Sequence, residues 1–175
     1  MATDIGKLFE KEFVKALRSL RDSHLLGWHR LTDTGAAGNV VAEQPSDYLL
    51  AVPPGAVLPG SDQRMAFCEA KASEVNAKLT KAAMKPAQRG AIAHFRMLLT
   101  IPYLVVFYDA TGGKLQIWDG AAVMKDRIDK AGLLAQYQDI GLGMHLNQVA
   151  LRQALIDFFK LPDKQQILAA SAISS

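Results

Sequence analysis

At 175 residues, with half of the chain apolar and 21% charged, the sequence suits one domain with a real core and excludes a disordered chain. A single cysteine, Cys68, excludes an internal disulfide framework and a cysteine-rich zinc site, and points to a reducing cytoplasm. The net charge of +3 is modest, but seven Lys/Arg against two Glu between Arg64 and Arg96 predict a local positive surface suited to an anionic partner.

The opening MATDIGKLFEKEF has no signal-peptide core, and no apolar run reaches membrane-spanning length, so a soluble, cytoplasmic protein without a membrane partner is expected. Ile5, Leu8, Phe9, Phe13, Ala16, Leu17 and Leu20 recur at helical spacing and predict an amphipathic helix over 4–21, capped by Thr3 or Asp4. GWHRLTDTGAAGN reads as a possible strand and a small-residue loop, SDYLLAV as a short strand, and PPGAVLPGSDQ as a Pro/Gly-rich surface loop. RMAFCEAKA is the next strand, and NAKLTKAAM a loop or short helical piece. Pro86 starts a helix over 86–99 with Ile92, Phe95, Leu98 and Leu99 inward. YLVVFYDA is apolar throughout, as a central, doubly covered strand would be. Gly112 and Gly113 turn into KLQIWDG to complete a hairpin, and 147–160 form a second amphipathic helix. The expected organisation is one domain over 1–175 with a frayed tail over 166–175. The expected fold class is α/β, a mixed sheet flanked by helices.

Within RMAFCEAKAS, Glu69 and Lys71 share a strand face, whereas Cys68 and Ala70 point the other way, toward the core. Charges in an apolar strand are costly unless something compensates or uses them. Asp47, at one end of the SDYLLAV strand, supplies a second carboxylate. Two carboxylates aimed at one point suit Mg²⁺, and a bound Mg²⁺ polarises a phosphoryl oxygen and acidifies a water. Lys71 would then orient that water and offset charge on the pentacovalent phosphorus.

Ser-Asp followed by Glu-Ala-Lys resembles the PD-(D/E)xK nuclease motif. GKLFE (Gly6–Glu10), Asp47-Tyr48, Phe67–Lys71, KPAQRGAIAHF and the strand and hairpin IPYLVVFYDATGGKLQIWDG resemble, in that order, the motifs of RecU-type Holliday junction resolvases over roughly 6–120. That resemblance implies a restriction-endonuclease-like fold and a homodimer. It also implies cutting of both strands at a four-way DNA junction with Mg²⁺ or Mn²⁺, leaving a 5′-phosphate. It carries over Asp47, Glu69, Lys71 and Glu10 as catalytic residues, with Gln88 as a further candidate. The metal ligands would be Asp47, Glu69, Glu10 and the Ala70 carbonyl. Lys85, Arg89 and Arg96 are the DNA-contact candidates on the basic segment. The setting would be a bacterial cytoplasm, or a phage protein in its host.

There are departures. Cys68 stands before the motif glutamate, the 22 residues between Asp47 and Glu69 include a Pro/Gly-rich excursion, and the segment before Asp47 is short for a protruding stalk. The compact size and the glycine-rich loop before Asp47 are closer to archaeal-type or phage resolvases of the same superfamily, and a duplex nuclease or a non-catalytic DNA-binding protein stand as alternatives. The helix carboxylate is open: the helical wheel places Glu12 inside the apolar stripe and Glu10 at its margin, while the motif favours Glu10. Edge-strand salt bridging is the bland account of Glu69 and Lys71, and a turn role that of Asp47. His24, His29, His94 and His145 have no metal-ligand spacing, and Ser46 lacks a matching His/Asp arrangement. DTGAAGN lacks the lysine and Ser/Thr of a phosphate-binding loop, though its small residues would let backbone approach DNA.

Overall fold

The computed structural model describes residues 4–31, 44–56, 58, 59, 61–74 and 79–162. The small-residue loop over 33–39 and the tail over 166–175 lie outside them. Asp4 caps helix α1 (Ile5–Asp22), its carboxylate accepting the Gly6 N–H at 2.9 Å. The apolar stripe closes as its spacing requires, burying Phe9, Phe13, Ala16, Leu17 and Leu20.

Among the described residues, six strands form one mixed sheet in chain order: β1 (Gly27–Arg30), β2 (Tyr48–Ala51), β3 (Met65–Ser73), β4 (Tyr103–Asp109), β5 (Lys114–Asp119) and β6 (Leu133–Tyr137). All neighbours are antiparallel except β3 and β4. A parallel pair needs a long crossover. Here it runs through helix α2 (Pro86–Ala91) and its π-helical continuation (Ile92–Leu98). The chain then adds a short helix α3 (Gly120–Val123), a small hairpin of β7 (Gly141–Leu142) and β8 (His145–Leu146), and helix α4 (Gln148–Phe159). The class is α/β, with helices on both faces of the sheet, as expected.

Strand alternation divides the core. Helices α1 and α4 cover one face, packing on Tyr48, Leu50, Ala66, Cys68, Leu104 and Val106. The other face carries Phe67, Tyr103, Val105, Phe107 and Trp118 against Leu79, Met84 and Ile92. Tyr103 to Tyr108 are all buried, as a central strand should be. The chain turns from β4 to β5 through Gly113, whose φ of +63° is the left-handed region that favours glycine. Among the described residues no helix is long and apolar enough to cross a membrane.

The structure corrects the sequence reading in the helix after Pro86. Leu98 and Leu99 are exposed, at 70% and 46%, rather than inward. From Ile92 the winding widens, with Leu99 N–H bonded five residues back to His94 O at 3.1 Å. A stripe spaced for 3.6 residues per turn therefore drifts off the core face. Strand β6 and helix α3 have no counterpart among the predicted elements.

Candidate active site

The end of β2 and the middle of β3 lie side by side, and the Tyr48–Cys68 pairing sets Asp47 against Glu69. Two reciprocal bonds lock them: Asp47 N–H donates to Glu69 Oε2, and Ala70 N–H to Asp47 Oδ2, each at 3.2 Å. The turn into Asp47 is fixed separately. Tyr103 donates its hydroxyl to Pro45 O at 2.7 Å, and buried Ser46 donates to Tyr48 O at 2.9 Å. Ser46 thus helps fix the entry into β2.

Glu69 is 0% exposed. Its Oε1 accepts from Lys71 Nζ at 2.7 Å and from the Gln88 side-chain amide. Burial pushes the Glu69 carboxyl well above the usual carboxylate range, and the neighbouring Asp47 charge adds to the rise, while Lys71 opposes it. The Cys68 thiol is also pushed up, chiefly by burial, on the α1 side of the sheet as alternation required.

Gln88 is placed by the crossover. It is the third residue of α2, and its Oε1 accepts the Lys85 N–H at 2.9 Å in a capping arrangement. Its carbonyl end thus starts the helix and its amide end holds Glu69. Asp47, Glu69, Lys71, Gln88 and the Ala70 backbone are therefore brought together.

Glu10 is held apart from that set. It pairs with Arg30 and accepts from the Tyr48 hydroxyl at 3.4 Å, on the α1 side of the sheet. Burial and the nearby Glu10 and Asp47 charges push the Tyr48 phenol up, so it remains a donor. Glu12 is the more buried of the two helix glutamates, with side-chain exposure of 13% against 34%. It bonds Lys15 and Gln148, both at 2.6 Å, and so ties α1 to α4. Among the described residues no three His, Cys, Asp or Glu side chains cluster to hold a metal.

The three basic candidates differ. Lys85, the N-cap of α2, is exposed, and Arg89, on α2, is half-buried. Arg96 instead forms a bidentate pair with Asp119, at 2.8 and 2.6 Å. Its guanidinium is committed inside the fold. Counting charge by segment also passes over Lys7, Lys11, Arg18 and Arg30, which share a groove along α1; helical spacing of the lysines was the signal.

Chemically, the arrangement is a buried carboxylate beside a second carboxylate, with one ammonium and one amide directed at it. Asp47 and Glu69 offer hard oxygens: Asp47 Oδ2 accepts the Ala70 N–H, and the two carboxyls lie close enough to interact directly. Burial first, and then the Asp47 charge, raise Glu69's proton affinity, and a divalent cation would relieve the repulsion between the two carboxylates. The donor set fits Mg²⁺ with two carboxylates rather than three.

No family model and no curated protein matches the chain. Among solved structures the chain is similar to Hjc of Archaeoglobus fulgidus, a Holliday junction resolvase from an archaeal hyperthermophile. The TM-score is 0.43 and the identity 14%, over 76% of this chain and 95% of that one.

Proposed function

We propose that this chain is a metal-dependent DNA endonuclease of the restriction-endonuclease-like fold that acts on branched DNA, with the four-way junction as its substrate. The observation that carries the reading is the convergence of Asp47, Lys71 and Gln88 on the buried carboxylate of Glu69. A surface salt bridge would explain Glu69 and Lys71 in solvent. It does not explain a fully buried carboxylate held against a second one.

Asp47, Glu69 and the Ala70 carbonyl would hold Mg²⁺ or Mn²⁺, which supplies charge at a phosphoryl oxygen and an acidified water when bound. Lys71 places positive charge beside the pair, offsets the charge developing on phosphorus, and orients the attacking water. Gln88 fixes Glu69 Oε1, so that carboxylate needs no reorganisation as the reaction proceeds. Glu10 acts through Tyr48 and Arg30 rather than as a ligand. Paired cuts at a junction require two sites with matching symmetry, which a homodimer supplies.

The test is cleavage of a four-way junction, a linear duplex and single-stranded DNA, with and without Mg²⁺. Symmetric nicks on the junction alone support the reading. Duplex cutting moves the substrate to linear DNA, and binding without cleavage leaves a DNA-binding protein. Full cleavage by both Asp47→Ala and Lys71→Ala refutes the site assignment.

A further inference from the structure

Helix α1 carries Lys7, Lys11, Lys15 and Arg18 along one side, and with Arg30 and Glu10 they line a groove of about 330 Å³. Lys15 pairs with Glu12 and Arg30 with Glu10, but Lys7, Lys11 and Arg18 have no ion-pair partner among the described residues.

The stripe works against its own helix. Lys7 lies in the first turn, which contains no acidic residue, and there the helix macrodipole disfavours a cation. Lys7 with Lys11, and Lys11 with Lys15, are like charges four residues apart, and such pairs destabilise a helix. These like-charge repulsions oppose the folding of α1, and an external anion would relieve them.

The groove also leads somewhere. Arg30 lies opposite Tyr48 in the β1–β2 register, Leu31 N–H donates to Asp47 O at 2.9 Å, and Glu10 in the groove accepts from Tyr48. The cationic row therefore ends on the backbone that carries Asp47. Successive lysines rise about 6 Å along the axis. That makes an extended positive track rather than a point site, and it fits a polyanion.

Resting on the nuclease reading above, we propose that the α1 groove is the track for the phosphate backbone of the DNA arm flanking the cut, with Lys7, Lys11 and Arg18 as its contacts. They carry affinity without base preference and position the substrate; they take no part in the chemistry.

The test is fluorescence anisotropy of a labelled four-way junction in metal-free buffer over a series of KCl concentrations. Lys7→Gln/Lys11→Gln/Arg18→Gln should lower the salt slope of log K by about 2 to 3 and weaken binding about tenfold to hundredfold at 100 mM salt. Lys125→Gln, whose charge faces Asp129 elsewhere, should keep the wild-type slope. The triple variant should melt at or above the wild-type temperature, because the like-charge pairs are gone. Wild-type slope and affinity in a folded triple variant overturn the track while leaving the nuclease reading intact. A wild-type protein that binds no DNA overturns both. Should the triple variant fail to fold, Lys11→Glu alone decides: an unchanged slope overturns the track.

Discussion

Gln88 donates its side-chain amide to Glu69 Oε1 while its own Oε1 accepts the Lys85 N–H, so one side chain starts a helix and holds the buried carboxylate. Gln88→Ala leaves the Lys85 amide without that acceptor and Glu69 short of a donor, and should cost about 1–3 kcal/mol of stability. Gln88→Glu restores the acceptor but sets a negative charge against Glu69. It should destabilise the metal-free protein more at pH 8 than at pH 5. Denaturant midpoints at the two pH values check both, and equal losses for Gln88→Glu would show that its charge does not reach Glu69.

Glu69 should make the metal-free protein's stability depend on pH. Its carboxyl is raised from 4.5 to about 8 by burial and by Asp47. Below about 4.5 it holds its proton folded and unfolded alike. Between that value and about 8 the unfolded chain ionises first, so stability falls as pH rises, then levels off. Melting temperatures should show this fall in wild type and lose most of it in Glu69→Gln. Mg²⁺ should oppose the fall, more strongly at higher pH, because metal displaces the proton.

Lys71 is the one cation bonded to Glu69 among the described residues. Lys71→Met should lower single-turnover cleavage by ~100-fold or more. Junction affinity should change little, since one ammonium beside the carboxylates is a small part of the contact to DNA. Single-turnover rates alongside anisotropy separate the two effects; a matching fall in affinity would assign Lys71 to binding.

Arg96 should behave as a structural residue. Its partner Asp119 also accepts the Ala121 N–H at 3.0 Å and so caps α3. Arg96→Gln should cost about 1.5–3 kcal/mol of stability and leave the salt slope of DNA binding unchanged. Denaturant titration and anisotropy on the same preparation test the assignment, and a reduced slope at full stability would return Arg96 to the DNA surface.

Much of this site is legible in the sequence because strand alternation is a strict rule. Glu69 and Lys71 must share a face and Cys68 must take the other, while Pro45 ahead of SDYLLAV puts Asp47 at a strand end. The buried stripe of α1 and the wholly apolar β4 read directly for the same reason. Other features depend on neighbours. The π winding after Ile92 overrides a stripe written for an α-helix, and Leu98 and Leu99 emerge into solvent. Strand β6, LLAQY, pairs with β5 alone among the described strands and is half-exposed, so it lacks a strong pattern of its own. Glu10 and Glu12 lie two residues apart on one helix, and their roles separate only through Arg30, Tyr48 and Gln148, which come from other elements.

The parallel pairing of β3 with β4 has a kinetic consequence. Strands β2 with β3, and β4 with β5, are antiparallel neighbours in sequence and can form by local zipping, whereas β3 with β4 must wait for loop closure. Asp47 and Glu69 belong to the early pairing, but Gln88 reaches Glu69 across the late one. Pulse-labelled hydrogen exchange should therefore protect the Asp47 and Ala70 amides before the Lys85 amide. A newly made chain would hold its two carboxylates together before Gln88 could fix Glu69.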